Sequence, residues 1–159
     1  MSQRIDYIQQ SPDLFRAYMG FSTAVAGSAI DATTRTLVQL RASQINGCAF
    51  CVDMHVKEAK IHGERELRLH HVAIWRESKL FTPKERAALE WTEALTQLSA
   101  HGVSDDIYTA VREQFSEKEL SDLSFAVVAI NGWNRLSIGF RVAPGSADAA
   151  YGLDKAGLS

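Results

Sequence analysis

An all-α bundle is the fold class that the sequence predicts, on three observations. Apolar residues recur at helical spacing through most of the chain. Glycines and prolines sit where such runs stop and start, and alternating apolar–polar stretches bounded by turn pairs are missing. At 159 residues the chain can bury one real core and falls short of two comfortable domains. Its 46% hydrophobic and 23% charged content is that of a folded globular chain and argues against disorder.

The first helix is expected from Ser11 as N-cap and Pro12 at the first helical position. Leu14, Tyr18, Phe21 and Val25 then fall on one line, and Gly27 supplies the stop. "DATTRTLVQLRASQING" predicts a second helix, with Leu37, Leu40 and Gln44 in line, Val38, Ala42 and Ile45 beside them, and Gly47 as a left-handed cap. A third runs from near Cys48 to His62 and closes on Gly63. Two capping boxes follow, "TPKE" from Thr82 and "SEKE" from Ser116. The first opens a helix with the stripe Ala88, Trp91, Leu95, Leu98. The second opens a long apolar segment through Leu120, Leu123, Val127, Ile130 and Asn134 that ends before Pro144. Between them "SDDIYTAVREQF" predicts a shorter helix with Ile107, Val111 and Phe115 in line. One helical domain over residues 1–143 is expected. The Gly/Ala-rich remainder, 144–159, is expected as a loosely ordered tail.

Charge and hydropathy exclude some partners. Seventeen Lys and Arg stand against 19 Asp and Glu with no basic block, so nucleic acid is not an expected partner. The N-terminal "MSQRIDYIQQ" lacks the apolar stretch of a secretory signal. "FAVVAI" (Phe125 to Ile130) is far too short to span a bilayer. A cytoplasmic protein without membrane contact is the expectation.

Chemistry concentrates in "QINGCAFCVDMH", Gln44 to His55, which holds both cysteines of the chain. At about 100° per residue, Cys51 lies roughly 60° from Cys48 around the helix and His55 roughly 20° from Cys48. All three therefore share a face. Cys48 sits near the helix N-terminus, where unpaired N–H groups and the dipole favour a thiolate by up to about a kcal/mol. His55, four residues after Cys51, tips back toward the sulfurs and can exchange a thiol proton at neutral pH. Two other readings stand beside this redox pair. One is a pair of packed thiols with a hydrogen-bonded histidine. The other is a zinc site of Cys48, Cys51, His55 and His62, which would require one short helix to supply a whole tetrahedron. The residues alone leave open which cysteine attacks, although the dipole favours Cys48.

"LRASQINGCAFCVDMHVKEAK", "WRESKLFTPKERAALEWTEALT" and "INGWNRL" together resemble the AhpD-like alkylhydroperoxidases of the carboxymuconolactone decarboxylase superfamily, over about Leu37 to Arg141. The resemblance implies a multi-helical bundle with the CxxC at the start of one helix, assembled as a homo-oligomer (trimer or hexamer). It implies reduction of an organic hydroperoxide with electrons from a dithiol donor, and neither cofactor nor metal. By resemblance Cys51 is the attacking cysteine, Cys48 its deprotonating and resolving partner, and His55 the proton relay. The chain departs from the family at two positions. Thr36 stands twelve residues before Cys48, where founding members carry a glutamate base, and Phe50 stands where they carry a histidine. A glutamate in "HVKEAK" reads first as a solvated surface residue; the alternative is that Glu58, three residues beyond His55, takes over part of the orienting role. The alternatives are general thiol–disulfide exchange, a decarboxylase-type enzyme that needs no cysteine pair, and a non-catalytic helical oligomer.

Other residues carry structural expectations. Trp75, Trp91 and Trp133 read as core or subunit-interface anchors, and His70 and His71 as structural or surface groups. Asn131, Asn134 and Arg135 should hydrogen-bond other helix ends or a neighbouring subunit. Gly132, costing about 1 kcal/mol relative to alanine in a helix interior, implies close approach of another backbone. "INGCAFC" and "INGWNRL" share Ile-Asn-Gly after an apolar helix, which three residues cannot assign to duplication or chance.

Overall fold

Thr82 and Ser116 start two helices by the same device. The Thr82 hydroxyl accepts from the Glu85 amide at 3.2 Å, while the Glu85 carboxylate accepts from the Thr82 amide at 2.7 Å. Ser116 and Glu119 repeat the exchange at 3.2 and 2.8 Å. Each cap satisfies N–H groups that the first turn leaves unpaired, worth typically about 1 kcal/mol. In the computed structural model, which describes residues 2–158, these boxes open α6 (Pro83–Thr96) and α8 (Glu117–Phe140). The other helices are α1 (Tyr7–Gln10), α2 (Pro12–Ala26), α3 (Ala32–Asn46), α4 (Ala49–Ile61), α5 (Glu66–His71), α7 (Asp105–Arg112) and α9 (Asp148–Tyr151). Two 3₁₀ segments, Val72–Glu77 and Leu153–Ala156, complete them, and no strand occurs among the described residues. No described helix is long and apolar enough to cross a membrane.

Helix α3 is the axis, packing against α4, α6 and α8 at once. Its Leu37 and Leu40 join Val72, Trp75 and Leu89 in one core cluster. Val38 joins Ala88, Leu123 and Val127 in a second, and Ala42 meets both cysteines and Ile130 in a third. A helix buried on three sides cannot show a single apolar stripe. This is why two neighbouring lines of apolar residues are visible in its sequence.

Several elements differ from expectation. Helix α6 ends at Thr96, with Gln97 already out of helical geometry, so Leu98 leaves the predicted stripe and is 64% exposed. Leu14 is 74% exposed, because the first turn of α2 stands off from α8. Ser11 precedes α2 without a side-chain cap. Asp6 instead caps the unforeseen α1, accepting from the Ile8 and Gln9 amides. Residues 144–158, expected as a loose arm, fold back on α4. Leu153 and Ala156 are buried, the Lys57 ammonium lies 2.6 Å from Asp148, and the Gly145 amide donates to Asp53 at 3.0 Å. Small apolar residues and one buried ion pair suffice to seat so short a segment. Composition alone does not reveal them.

Trp75 and Trp91 are core residues, and Trp133 is half-buried between the rings of Phe15 and Tyr18. His70 is exposed, and His71 bonds to Ser78 at 3.0 Å. The close approach at Gly132 comes from a side chain rather than a backbone. A Cβ there would lie 1.9 Å from the Tyr18 hydroxyl and 2.7 Å from Cζ. That hydroxyl donates to the Ala129 carbonyl at 2.8 Å. Gly132→Ala should therefore destabilise the protein by about 1–3 kcal/mol in urea unfolding. In a Tyr18→Ala background the same change should become neutral or stabilising by up to about 1 kcal/mol, because only helix propensity remains.

Candidate active site

The site begins with the stop of α3. Gly47 takes the left-handed conformation (φ 71°) that a Cβ would disfavour, and the chain turns directly into α4. Cys48 is the N-cap of α4, and its sulfur accepts from the Cys51 amide at 3.3 Å. Cys48 and Cys51 are joined as a disulfide, with Cα atoms 5.3 Å apart. In this oxidised form neither sulfur is a free thiolate. The bond is enclosed by Ala42 and Ile130, with half-buried Phe50 and Trp133 against it, and leaves Cys48 1% and Cys51 3% exposed.

One turn beyond Cys51, His55 is 6% exposed, and its Nδ1 lies 2.7 Å from Glu58 Oε2. An ionised carboxylate can only accept, so Nδ1 carries the proton and Nε2 is left as the acceptor. Burial pushes the Glu58 carboxyl upward. The hydrogen bond from His55 outweighs it, joined by the charge of the ring when it is protonated and by positive potential from His62 and Arg35, and holds the group below its ordinary value. Glu58, which its sequence context reads first as a solvated surface residue, instead turns to His55 and makes this contact. Thr36 spends its hydroxyl on the Ala32 carbonyl of its own helix at 2.9 Å, and a threonine at that position has no basic group to offer. His62 is exposed at the C-terminal end of α4.

A buried amide network fixes the start of α4 against α8. The Asn46 amide donates to the side-chain carbonyls of Asn131 (3.0 Å) and Asn134 (2.8 Å). Asn134 in turn donates to the Ser43 hydroxyl at 3.0 Å, and Asn131 to Thr96 at 3.0 Å. Asn131 and Asn134 thus bond other helix ends, as the sequence predicts, whereas Arg135 donates to Asn131 of its own helix. Asn46 and Ser43 complete the network without a sequence expectation, and the repeated Ile-Asn-Gly is its one sequence signal: the two asparagines of the repeat bond to each other.

The family model for the carboxymuconolactone decarboxylase family matches residues 12–94, which include α2 through most of α6 and the whole cysteine helix. The chain belongs to that family. Among its relatives is the uncharacterized protein YdfG of Bacillus subtilis, 41% identical over 138 residues, covering 87% of this chain and 94% of YdfG. A crystal structure from Agrobacterium tumefaciens superposes with a TM-score of 0.87 at 42% identity, covering 90% of this chain and 98% of that one. That protein is of unknown function and is provisionally named an antioxidant defence protein, AhpD. An uncharacterized peroxidase-related protein with an AhpD core, from Ralstonia eutropha, shares the fold at a TM-score of 0.78 and 22% identity, over 88% of this chain and 75% of its own. The AhpD-like resemblance read from the cysteine helix therefore holds for family and fold.

Two measurements probe the site as a piece of the carboxymuconolactone decarboxylase fold. Asn134→Ala leaves the Asn46 amide and Ser43 hydroxyl short of a partner in the interior, and should cost about 1–3 kcal/mol in urea unfolding. Glu58 stabilises the fold in full above the ordinary carboxylate value of 4.5, and that contribution is lost as pH falls through its lower folded value. Urea midpoints of Glu58→Gln should therefore lie below wild type at pH 7 and converge with it on acidification past that range.

Proposed function

We propose that this chain reduces organic hydroperoxides through the Cys48/Cys51 pair, with His55 moving the proton and an external dithiol supplying electrons. The observation that carries this reading is a closed disulfide at the first turn of α4, followed on the same helix by a carboxylate-oriented imidazole. In the reduced protein, His55 Nε2 accepts the Cys51 proton. The Cys51 thiolate attacks one peroxide oxygen, the O–O bond breaks, and the departing alkoxide takes the proton back as an alcohol. Cys51 is left as a sulfenic acid. Cys48, whose position as N-cap favours its thiolate, attacks that sulfur and displaces water as the disulfide closes. Two exchange steps with the dithiol then restore both thiols. The sum is one hydroperoxide and one dithiol giving an alcohol, water and a disulfide. The attacking role of Cys51 follows the family resemblance. The role of Glu58 here is to hold Nδ1 protonated, in place of the family's glutamate at the Thr36 position. Exposed Phe125 and Val128 on α8 support the expected self-association.

Enclosure of both sulfurs favours a second reading, a helical scaffold in which the disulfide is a staple, because a sulfur out of reach is inert. Thiol counting separates the two. After reduction and removal of reductant, one equivalent of tert-butyl hydroperoxide should consume both thiols, and Cys51→Ser should abolish this. Thiols that persist in the wild-type protein would rule for the staple. Replacing His55 by Asn should slow consumption by about a hundredfold. Glu58→Gln should change its pH dependence, since the neutral amide no longer fixes the imidazole tautomer.

A further inference from the structure

A groove of about 710 Å³ runs between α1, the first turns of α2 and the C-terminal half of α8. Its walls are apolar and aromatic, from Ile5, Leu14, Phe15, Trp133, Leu136 and Phe140. The size and character are those of a small-molecule site rather than a packing defect. Trp133 belongs to two neighbourhoods, since it lines the groove and also packs against the cluster that contains the disulfide. Its indole N–H donates to the Ser22 hydroxyl at 2.8 Å, which ties the ring to α2. One cation borders the groove, Arg135. Its guanidinium donates only to the carbonyl and side-chain oxygens of Asn131, and no carboxylate among the described residues lies within ion-pair distance. An apolar trough with one uncompensated positive charge at its edge is complementary to an amphipathic anion.

We propose that this groove binds the hydrocarbon chain of a fatty-acid-type carboxylate, with the carboxylate on Arg135, and so selects fatty-acid hydroperoxides as the substrate class. The selectivity rests on the hydroperoxide-reducing reading above, whereas the binding site does not. The chain lies along Phe15, Leu136 and Phe140 and reaches Trp133, the side chain that links the groove to the cluster holding the sulfurs. Binding itself makes and breaks no covalent bond.

Dodecanoate, which carries no peroxide, tests the site without chemistry. Titrated into the full-length protein, it should bind saturably by calorimetry and perturb tryptophan fluorescence, a signal lost in Trp133→Phe. Arg135→Gln should weaken dodecanoate by about tenfold and leave methyl dodecanoate unchanged. Leu14→Asp, at a position exposed enough to tolerate it, should repel the anion without unfolding the chain. Equal affinity in Arg135→Gln, absence of saturable binding, or light scattering in which Leu14→Asp splits an oligomer that dodecanoate leaves intact would each overturn the proposal. The last result would give the groove to a second copy of the chain. Reaction of the thiols with tert-butyl hydroperoxide in a protein that ignores dodecanoate would sink the groove alone. Dodecanoate binding to a protein whose thiols resist peroxide would sink the peroxidase alone.

Discussion

Asn134 has no exposed surface, and the arrangement of the site depends on how its amide is satisfied. An amide in the interior is tolerated only if its donor and acceptor both find partners, and here the acceptor takes Asn46 and the donor takes Ser43. Both partners lie at the end of α3, within five residues of Cys48. The long helix α8 therefore grips the chain where it turns from α3 into α4, and the requirement for satisfaction leaves little freedom in that turn. Gly47 supplies the backbone geometry, and the asparagines supply the register.

The start of α4 inherits its chemistry from that constraint. A cysteine in the N-cap position spends its sulfur on the amide of the next cysteine, which places the two within bonding reach and exposes Cys48 to the positive end of the helix. His55 follows one turn after Cys51, and Glu58 accepts from its Nδ1, so orientation of the imidazole is settled inside one helix. Thr36, on the preceding helix, offers no carboxylate, and the one that meets His55 comes from α4 itself. The same packing that fixes the sulfurs also encloses them, and Phe50 and Trp133 are the half-buried residues that stand against the disulfide.

Local rules make much of this legible in the sequence. The two capping boxes, Asp31-to-Gly47 and the CxxC helix follow from hydrogen-bond needs within four residues, and each is present where the sequence placed it. Misreadings arose where partners are distant. Leu14 and Leu98 sit at helical spacing, yet one faces a groove and the other follows the end of α6. The tail from 144 onward looked unanchored because Asp148 and its partner Lys57 are 91 residues apart. Gly132 betrayed a close approach, though not that Tyr18 makes it.

By itself the sequence determined the all-α class, the helix boundaries set by capping chemistry, and the placing of Cys48, Cys51 and His55 along the start of one helix. Each of these depends on spacing of a few residues and on the fixed pitch of a helix. Only the tertiary structure decided that the sulfurs are enclosed, that three asparagines from two helices share one network, and that an apolar groove backs onto Trp133. Those features arise from side chains that meet across helices, and spacing along the chain carries no record of which faces meet.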